Sequence, residues 1–210
     1  MTRKSRIKVL LVDDHAVVRE GYRRLLERQS EIAVIGEAAD ANTAHALFST
    51  LDPEIVVMDI TLPEVSGLEA MRRMLIYNKE ARVLVFSMHE DAIFASTALR
   101  DGAYGYVTKA SAPYVLVEAV LTVARGKRFL SPDIAQKLAL REGEAGQHGL
   151  TQRECDVLRL LIQGQTVHEI SEALGLNWKT VANHQSSVRQ KLSAETTMEL
   201  SKKANALGLV

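Results

Sequence analysis

One cysteine, Cys155, stands in 210 residues. A lone thiol excludes an internal disulfide framework and fits a reducing cytoplasm; its plain reading is a small packing residue on a helix. No stretch approaches the ~18 continuous apolar residues of a membrane span. Residues 1–6 are basic, but the apolar run after them ends at Asp13, too short and too acidic an ending for a signal peptide. These absences predict a soluble, cytoplasmic protein with no membrane partner. An excess of one charge is missing too: 26 Lys/Arg face 26 Asp/Glu, so composition does not announce a nucleic-acid binder. There is no internal repeat and no low-complexity segment. The remaining balance, 47% hydrophobic and 25% charged, is that of an ordinary globular chain long enough for one large or two modest domains.

What is present is a set of short apolar runs that stop on polar chemistry. Ile55-Val56-Val57-Met58 ends on Asp59, Val9-Leu10-Leu11-Val12 on Asp13-Asp14, Val83-Leu84-Val85-Phe86 on Ser87, and Tyr104-Gly105-Tyr106-Val107 on Thr108-Lys109. Short apolar runs bounded by turn signals read as buried strands. Strands are predicted near 7–12, 32–37, 54–59, 82–87 and 104–108, with helices near 15–28, 41–50, 67–77, 91–101 and 113–125. Val17, Val18, Tyr22, Leu25 and Leu26 recur at helical spacing, as do Val115, Leu116, Ala119, Val120 and Val123, and both stripes read as core faces. The alternation predicts an α/β fold: a flavodoxin-like, doubly wound, five-stranded parallel sheet of order 2-1-3-4-5.

Three carboxylates, a hydroxyl and an ammonium would then meet at the C-terminal edge of one sheet, where open α/β sheets bind ligands. Mg²⁺ prefers oxygen ligands and takes one or two carboxylates from protein. Asp14 and Asp59 suit direct ligation, with Asp13 acting through water. A carboxylate can attack phosphorus to form an aspartyl phosphate. Lys109 would neutralise the phosphoryl group, and the Ser87 hydroxyl could donate to one of its oxygens. Singly, each residue is a turn former, a cap or a solvated charge; jointly they describe a phosphoryl site.

From residue 127 the alternation ends. Ser131 can cap and Pro132 start a short helix to about Leu140. Residues 141–149 hold three glycines and predict a flexible linker. The division is therefore 1–126, a linker with a short helix at 127–149, and 150–210. The last part reads as a small all-α unit of four helices, with a capping box at Thr151-Gln152-Arg153-Glu154. A short helix from Val167 to Leu174, a turn at Gly175 and a longer helix capped by Asn177 make a helix-turn-helix. On the longer helix Lys179, Ala182, Asn183, Ser186 and Gln190 share a face opposite Val181, Val188 and Leu192. Asn183 could pair with adenine, and Lys179 could reach a phosphate or a guanine. Trp178 either covers a neighbouring helix or lies flat against the DNA backbone. Met198, Leu200, Ala204 and Leu207 offer a possible apolar surface, part of which must be core.

Residues 7–125 resemble a response-regulator receiver domain, and the whole chain resembles the NarL/FixJ (LuxR-type) two-component response regulators. The resemblance rests on Val12-Asp13-Asp14-His15, Met58-Asp59-Ile60 with Pro63 and Gly67, Ser87-Met88-His89 and Gly102-Ala103-Tyr104-Gly105-Tyr106-Val107-Thr108-Lys109. In the second half it rests on Leu150-Thr151-Gln152-Arg153-Glu154, Glu169-Ile170-Ser171, Lys179-Thr180-Val181, His184, Lys191-Leu192 and Gly208-Leu209. It implies that Asp59 accepts a phosphoryl group from a sensor histidine kinase and that the backbone carbonyl of Thr61 is a further Mg²⁺ ligand. Ser87 and Tyr106 would relay the event; the flexible linker at 141–149 between a switchable unit and a separate helical one adds the expectation that phosphorylation changes the arrangement of the two halves. It implies a sequence-specific transcriptional regulator, not an enzyme beyond assisting its own Mg-dependent phosphorylation and dephosphorylation. Thr180 and His184 join the DNA-binding set, and RNA polymerase joins the partners.

Thr61 and His89 flank the pocket at positions that vary among receivers, where they would tune phosphoryl lifetime; His89 also reads as an exposed loop residue. Ala182 stands where several relatives have lysine, and residues 150–210 carry seven Lys/Arg against six Asp/Glu, a net of +1. Affinity for DNA rests heavily on neutralising phosphates, so a homodimer is expected when the chain is phosphorylated or on double-stranded DNA. A phosphatase of the haloacid dehalogenase type would need a second carboxylate where Asp59-Ile60-Thr61 has Thr61. A regulator of this fold without phosphorylation is the other rival, and the acidic edge weighs against it.

Overall fold

The computed structural model describes residues 6–142, 150–207 and 209, so most of the predicted linker lies outside the described residues. Strand and helix alternate as β1 (Ile7–Val12), α1 (Ala16–Glu27), β2 (Ile32–Ala38), α2 (Ala41–Leu51), β3 (Ile55–Met58) and α3 (Gly67–Tyr77). There follow β4 (Val83–Ser87), α4 (Ala92–Arg100), β5 (Gly105–Thr108), α5 (Pro113–Ala124), β6 (Phe129–Leu130) and α6 (Pro132–Glu142). The chain forms two compact units, divided between Ala135 and Gln136.

The sheet of the first unit has the order β2-β1-β3-β4-β5-β6, and all its pairings are parallel. Strands covered on both faces must be apolar on both faces, and β3, β4 and β5 are buried at every residue. Val115, Leu116, Ala119, Val120 and Val123 of α5 lie in the same core as Val9, Leu11 and Val57.

The sixth strand was not legible in the sequence. Two residues carry no periodicity, and what admits them lies on β5. Gly105 pairs with Phe129, and a Cβ at Gly105 would come within 2.5 Å of the Phe129 carbonyl oxygen. A side chain there would hold β6 off the sheet. The stripe on α1 also differs from its reading. Leu26 is buried, but Val17 is 87% exposed and lines a surface groove with Val18, Tyr22, Leu25 and Pro113.

The register makes a site at the C-terminal edge. Val12 pairs with Met58, so Asp13 and Asp59 leave the sheet side by side. Ser87 pairs with Thr108, which brings Lys109 to the same edge.

The second unit contains α7 (Gln152–Ile162), α8 (Val167–Leu174), α9 (Trp178–Lys191) and α10 (Thr197–Ala206). Three of the four begin with a complete capping box: Thr151 with Glu154, Thr166 with Glu169, and Thr196 with Glu199. Each box satisfies donors that a helix start leaves open. Leu158, Leu160, Ile170, Val181, Val188, Leu200 and Ala204 are fully buried. Of the apolar surface expected on the last helix, Leu200 and Ala204 are therefore core, and Met198 and Leu207 are exposed.

Glu154 also ties α7 to α9. Its carboxylate accepts from Thr151 N–H (2.7 Å), the Ser187 hydroxyl (2.5 Å) and the Lys191 ammonium (2.7 Å). Burial opposes its charge, but the bonds from Lys191, Ser187 and Thr151 outweigh it and hold the carboxyl at about 2. A depressed carboxyl stabilises the fold above its unfolded pKa of 4.5, and that contribution fades as pH falls toward 2. Lys191 is half-exposed and solvent screens the pair, which leaves about 1 kcal/mol. Urea unfolding of the helical unit should therefore weaken between pH 5 and 2 by about that amount, and Glu154→Gln should flatten the dependence.

Candidate functional site

Asp13 and Asp59 are buried, at 2% and 3% exposure, which an unpartnered carboxylate does not tolerate. Their partner is Lys109. Its ammonium donates to Asp13 Oδ2 at 2.6 Å and to Asp59 Oδ2 at 2.5 Å. Burial works against the Lys109 charge, but the two carboxylates overcome it and raise its pKa. Asp13 Oδ1 accepts from the His15 N–H at 2.9 Å, and Asp59 Oδ1 from the Thr61 N–H at 3.2 Å. Each carboxylate is thus held at both oxygens.

Asp14 is more exposed, and its Oδ1 lies 2.6 Å from His15 Nδ1. One ligand atom each from Asp13, Asp14, His15 and Asp59 lies within 4.8 Å of the others. Three carboxylates against one ammonium leave a surplus of two negative charges on a largely oxygen donor set. That suits a divalent cation, and the acidic pocket could bind one.

Gly67 starts α3 directly over Asp59. A Cβ there would lie 1.8 Å from the Asp59 carbonyl oxygen, and the Gly67 N–H donates to the Ile60 carbonyl at 2.8 Å. Glycine here allows close approach between the helix and the strand end.

On the far side, Ser87 is fully buried and its Oγ accepts from the His89 N–H at 3.3 Å. Tyr106 is fully buried as well. Its hydroxyl donates to the His89 carbonyl at 2.8 Å, and burial pushes the phenol pKa up. The His89 ring is half-buried and stacks on Phe94, centroids 4.0 Å apart. Its Nε2 is 3.4 Å from Thr61 Oγ1, and burial pushes its pKa down. Thr61 and His89 thus face each other across the rim, and His89 does not stand free in the loop.

Three neighbours were missed by sequence reading. His15 adjoins Asp14 in the chain, and that adjacency was the available signal. Arg19 donates to the Asp13 carbonyl at 2.6 Å while pairing with Glu37, a contact spanning three elements. Asp133, at the start of α6, accepts from the Thr108 hydroxyl at 3.0 Å, one residue before Lys109. Neither of the last two has a local signature.

In the helical unit the face on α9 is solvent-facing. Lys179, Asn183, Ser186 and Gln190 are exposed, Thr180, Ala182 and His184 half-buried, and Val181, Val188 and Leu192 buried. Trp178 is 58% exposed, so most of its surface is left open to solvent.

Residues 9–121 match the family described as "Response regulator receiver domain". Residues 148–204 match "Bacterial regulatory proteins, luxR family". The chain is a LuxR-family response regulator. The regulator is 35% identical over 208 residues to the response regulator UvrY of Escherichia coli (strain K12), covering 97% of this chain and 95% of that one. Among solved structures, a LuxR-family two-component response regulator from Aurantimonas sp. SI85-9A1 is 49% identical, with a TM-score of 0.65. It covers 66% of the regulator and 99% of its own chain. RcsB from Salmonella enterica serovar Typhimurium, solved bound to promoter rprA in the presence of phosphomimetic BeF3-, is 25% identical with a TM-score of 0.69, covering 95% and 98%. The family is one of transcription regulators, and among the described residues no helix is long and apolar enough to cross a membrane.

Gly67→Ala is expected to displace the Asp59 carbonyl or the start of α3. Overpacking of this kind costs about 1–3 kcal/mol, to be measured as a lower urea midpoint for the receiver unit. An unchanged midpoint would mean that α3 slides away at no cost.

Proposed function

We propose that Asp59 is the phosphoacceptor of this regulator and that a sensor histidine kinase supplies the phosphoryl group. The observation that carries this reading is the buried Asp59 carboxylate held by Lys109 beside the surplus acidic charge of Asp13 and Asp14. An Asp59 oxygen attacks phosphorus; the O–P bond forms as the N–P bond to the kinase imidazole breaks, and the bond pair stays on that nitrogen, so the ring, already protonated at its other nitrogen, leaves neutral. Phosphoryl transfer needs positioning and charge neutralisation more than covalent help.

Asp14, Asp59 and the Thr61 carbonyl would hold Mg²⁺ directly, with Asp13 acting through water. Bound there, the ion supplies charge neutralisation on the phosphoryl oxygens. Lys109 neutralises the opposite side, moving from Asp59 Oδ2 to the phosphoryl group. Ser87, whose oxygen accepts from the His89 N–H, donates its own proton to a phosphoryl oxygen, and Tyr106 reports the change through its bond to the His89 carbonyl. The receiver thereby assists its own phosphorylation and dephosphorylation, and it has no other substrate.

The output is sequence-specific binding of double-stranded DNA by α9 through Lys179, Thr180, Ala182, Asn183, His184 and Ser186. An exposed polar face on the second helix of a helix-turn-helix supports this, as does the RcsB relative solved on a promoter. A homodimer forms on DNA, favoured by phosphorylation, because linking two weakly charged units makes the second contact intramolecular. RNA polymerase is the downstream partner, and the cytoplasm is the compartment. The division of labour is a receiver at 1–126, a linker with a short helix at 127–149, and a DNA-binding unit at 150–210.

Incubation with an acyl phosphate and Mg²⁺ should add one acid-labile phosphoryl group per chain. Asp59→Ala should abolish it, and Asp14→Ala should suppress it while circular dichroism stays unchanged. A label that persists in Asp59→Ala would overturn the assignment.

On a selected DNA site, native mass spectrometry should find two chains, with binding strengthened by the phosphodonor. Asn183→Ala should cost about 1–3 kcal/mol at one base position and little elsewhere. A tight one-chain complex indifferent to the phosphodonor would contradict the dimer.

A further inference from the structure

Cations with unengaged donors are scarcer in the helical unit than the charge count suggests. Arg153 donates to the Leu174 carbonyl, Arg159 to the Leu209 carbonyl, and Arg189 to the Glu195 carbonyl. Lys191 is spent on Glu154, and Lys203 on the carbonyls of Leu192 and Ser193. Of the seven cations this leaves Lys179 and Lys202, among the described residues, with no hydrogen bond engaging their donors. Few of these cations can turn to a phosphate at no internal cost, which limits the ionic contacts that one unit adds to DNA affinity. Non-ionic contacts must supply more of it.

The one large apolar group offered on the DNA-facing helix is Trp178. It is the chain's single tryptophan and the first residue of α9. Local structure does not require it. Asn177 performs the capping, its Oδ1 accepting from the Lys179 N–H at 2.9 Å, and the indole is 58% exposed. The Lys179 ammonium lies 5.6 Å from the ring centroid, so the free cation and the exposed ring form one surface. Ala182, one turn along, is too small to shield the ring from an incoming groove. In helix-turn-helix units the N-terminal residues of the second helix meet base edges. The base edge that an apolar side chain recognises there is the thymine C5-methyl.

We propose that Trp178 is a DNA contact of this regulator and packs its indole on a thymine methyl in the major groove. This rests on the reading of α9 as the DNA-binding helix. Lys179 then takes the adjacent phosphate or guanine, and the pair combines apolar affinity with the little charge available. Because the contact releases no counterions, it adds affinity that salt does not erode.

The test uses the full-length chain and a fluorescently labelled duplex obtained by binding-site selection from random DNA. Binding is read by anisotropy, and the contact by the emission of the single tryptophan. Emission should shift or quench in step with binding. Trp178→Ala should lose roughly tenfold in affinity, as for a good base contact, with the slope of log K against log salt unchanged; Trp178→Phe should recover part of the loss. Replacing thymine by deoxyuridine, position by position, should weaken the wild type at one position and leave Trp178→Ala indifferent there. Binding with unaltered emission, or equal affinity of Trp178→Ala, overturns the contact. Altered emission with no deoxyuridine effect overturns the thymine assignment. An emission change that follows protein concentration without DNA overturns the proposal in favour of self-association. Failure of the chain to select any duplex overturns the DNA-binding reading itself and the contact with it.

Discussion

The first unit depends on one ammonium. Lys109 leaves the end of β5 and reaches past β4 to carboxylates at the ends of β1 and β3. Taking those carboxylates out of water is costly, and only a well-placed cation with further hydrogen bonds offsets it. Removing one member of such a set strands the others as buried charges, so these strand ends must finish together. The sheet register provides that: Val12 opposite Met58 and Ser87 opposite Thr108. The same arrangement is the chemistry of the site, because a surplus of negative charge around one lysine answers to a divalent cation and to a phosphoryl group.

Around this centre, function and packing restrict the same positions. Gly67 lets α3 begin against the Asp59 carbonyl. Tyr106 is buried where a smaller residue would leave a cavity, and its hydroxyl reads the loop after Ser87. Thr108, beside Lys109, bonds to Asp133 at the head of α6. A hydrogen bond thus ties the strand end that carries Lys109 to the head of α6.

The helical unit is held together differently. Its helices are announced locally, by threonine-to-glutamate capping boxes and by buried leucine and valine stripes, and Glu154 adds a buried polar tie between α7 and α9. Most of its cations serve carbonyls and carboxylates inside the unit, so the surface left for DNA is polar, slightly basic and carries one exposed indole.

Sequence by itself determined the α/β alternation, the five long strands, the four C-terminal helices and the residues that end the strands. Apolar runs, helical periodicity and caps are local signals, and local signals survive in a one-dimensional string. It also showed that Asp13, Asp14, Asp59, Ser87 and Lys109 belong to one edge, because parallel strands bring all their C-terminal ends to one side. Only the tertiary structure decided which oxygen Lys109 holds, that Arg19 braces the Asp13 carbonyl, that His89 lies on Phe94, and that Trp178 is left in solvent while Leu200 is not. Residues 129–130 are too short for any pattern, and β6 exists because Gly105 opens room for it. Val17 keeps the spacing of a core residue and yet faces out, because periodicity gives the width of a stripe but not how far the neighbouring elements reach over it. These outcomes turn on distances between segments far apart in the chain, which spacing along the sequence does not encode.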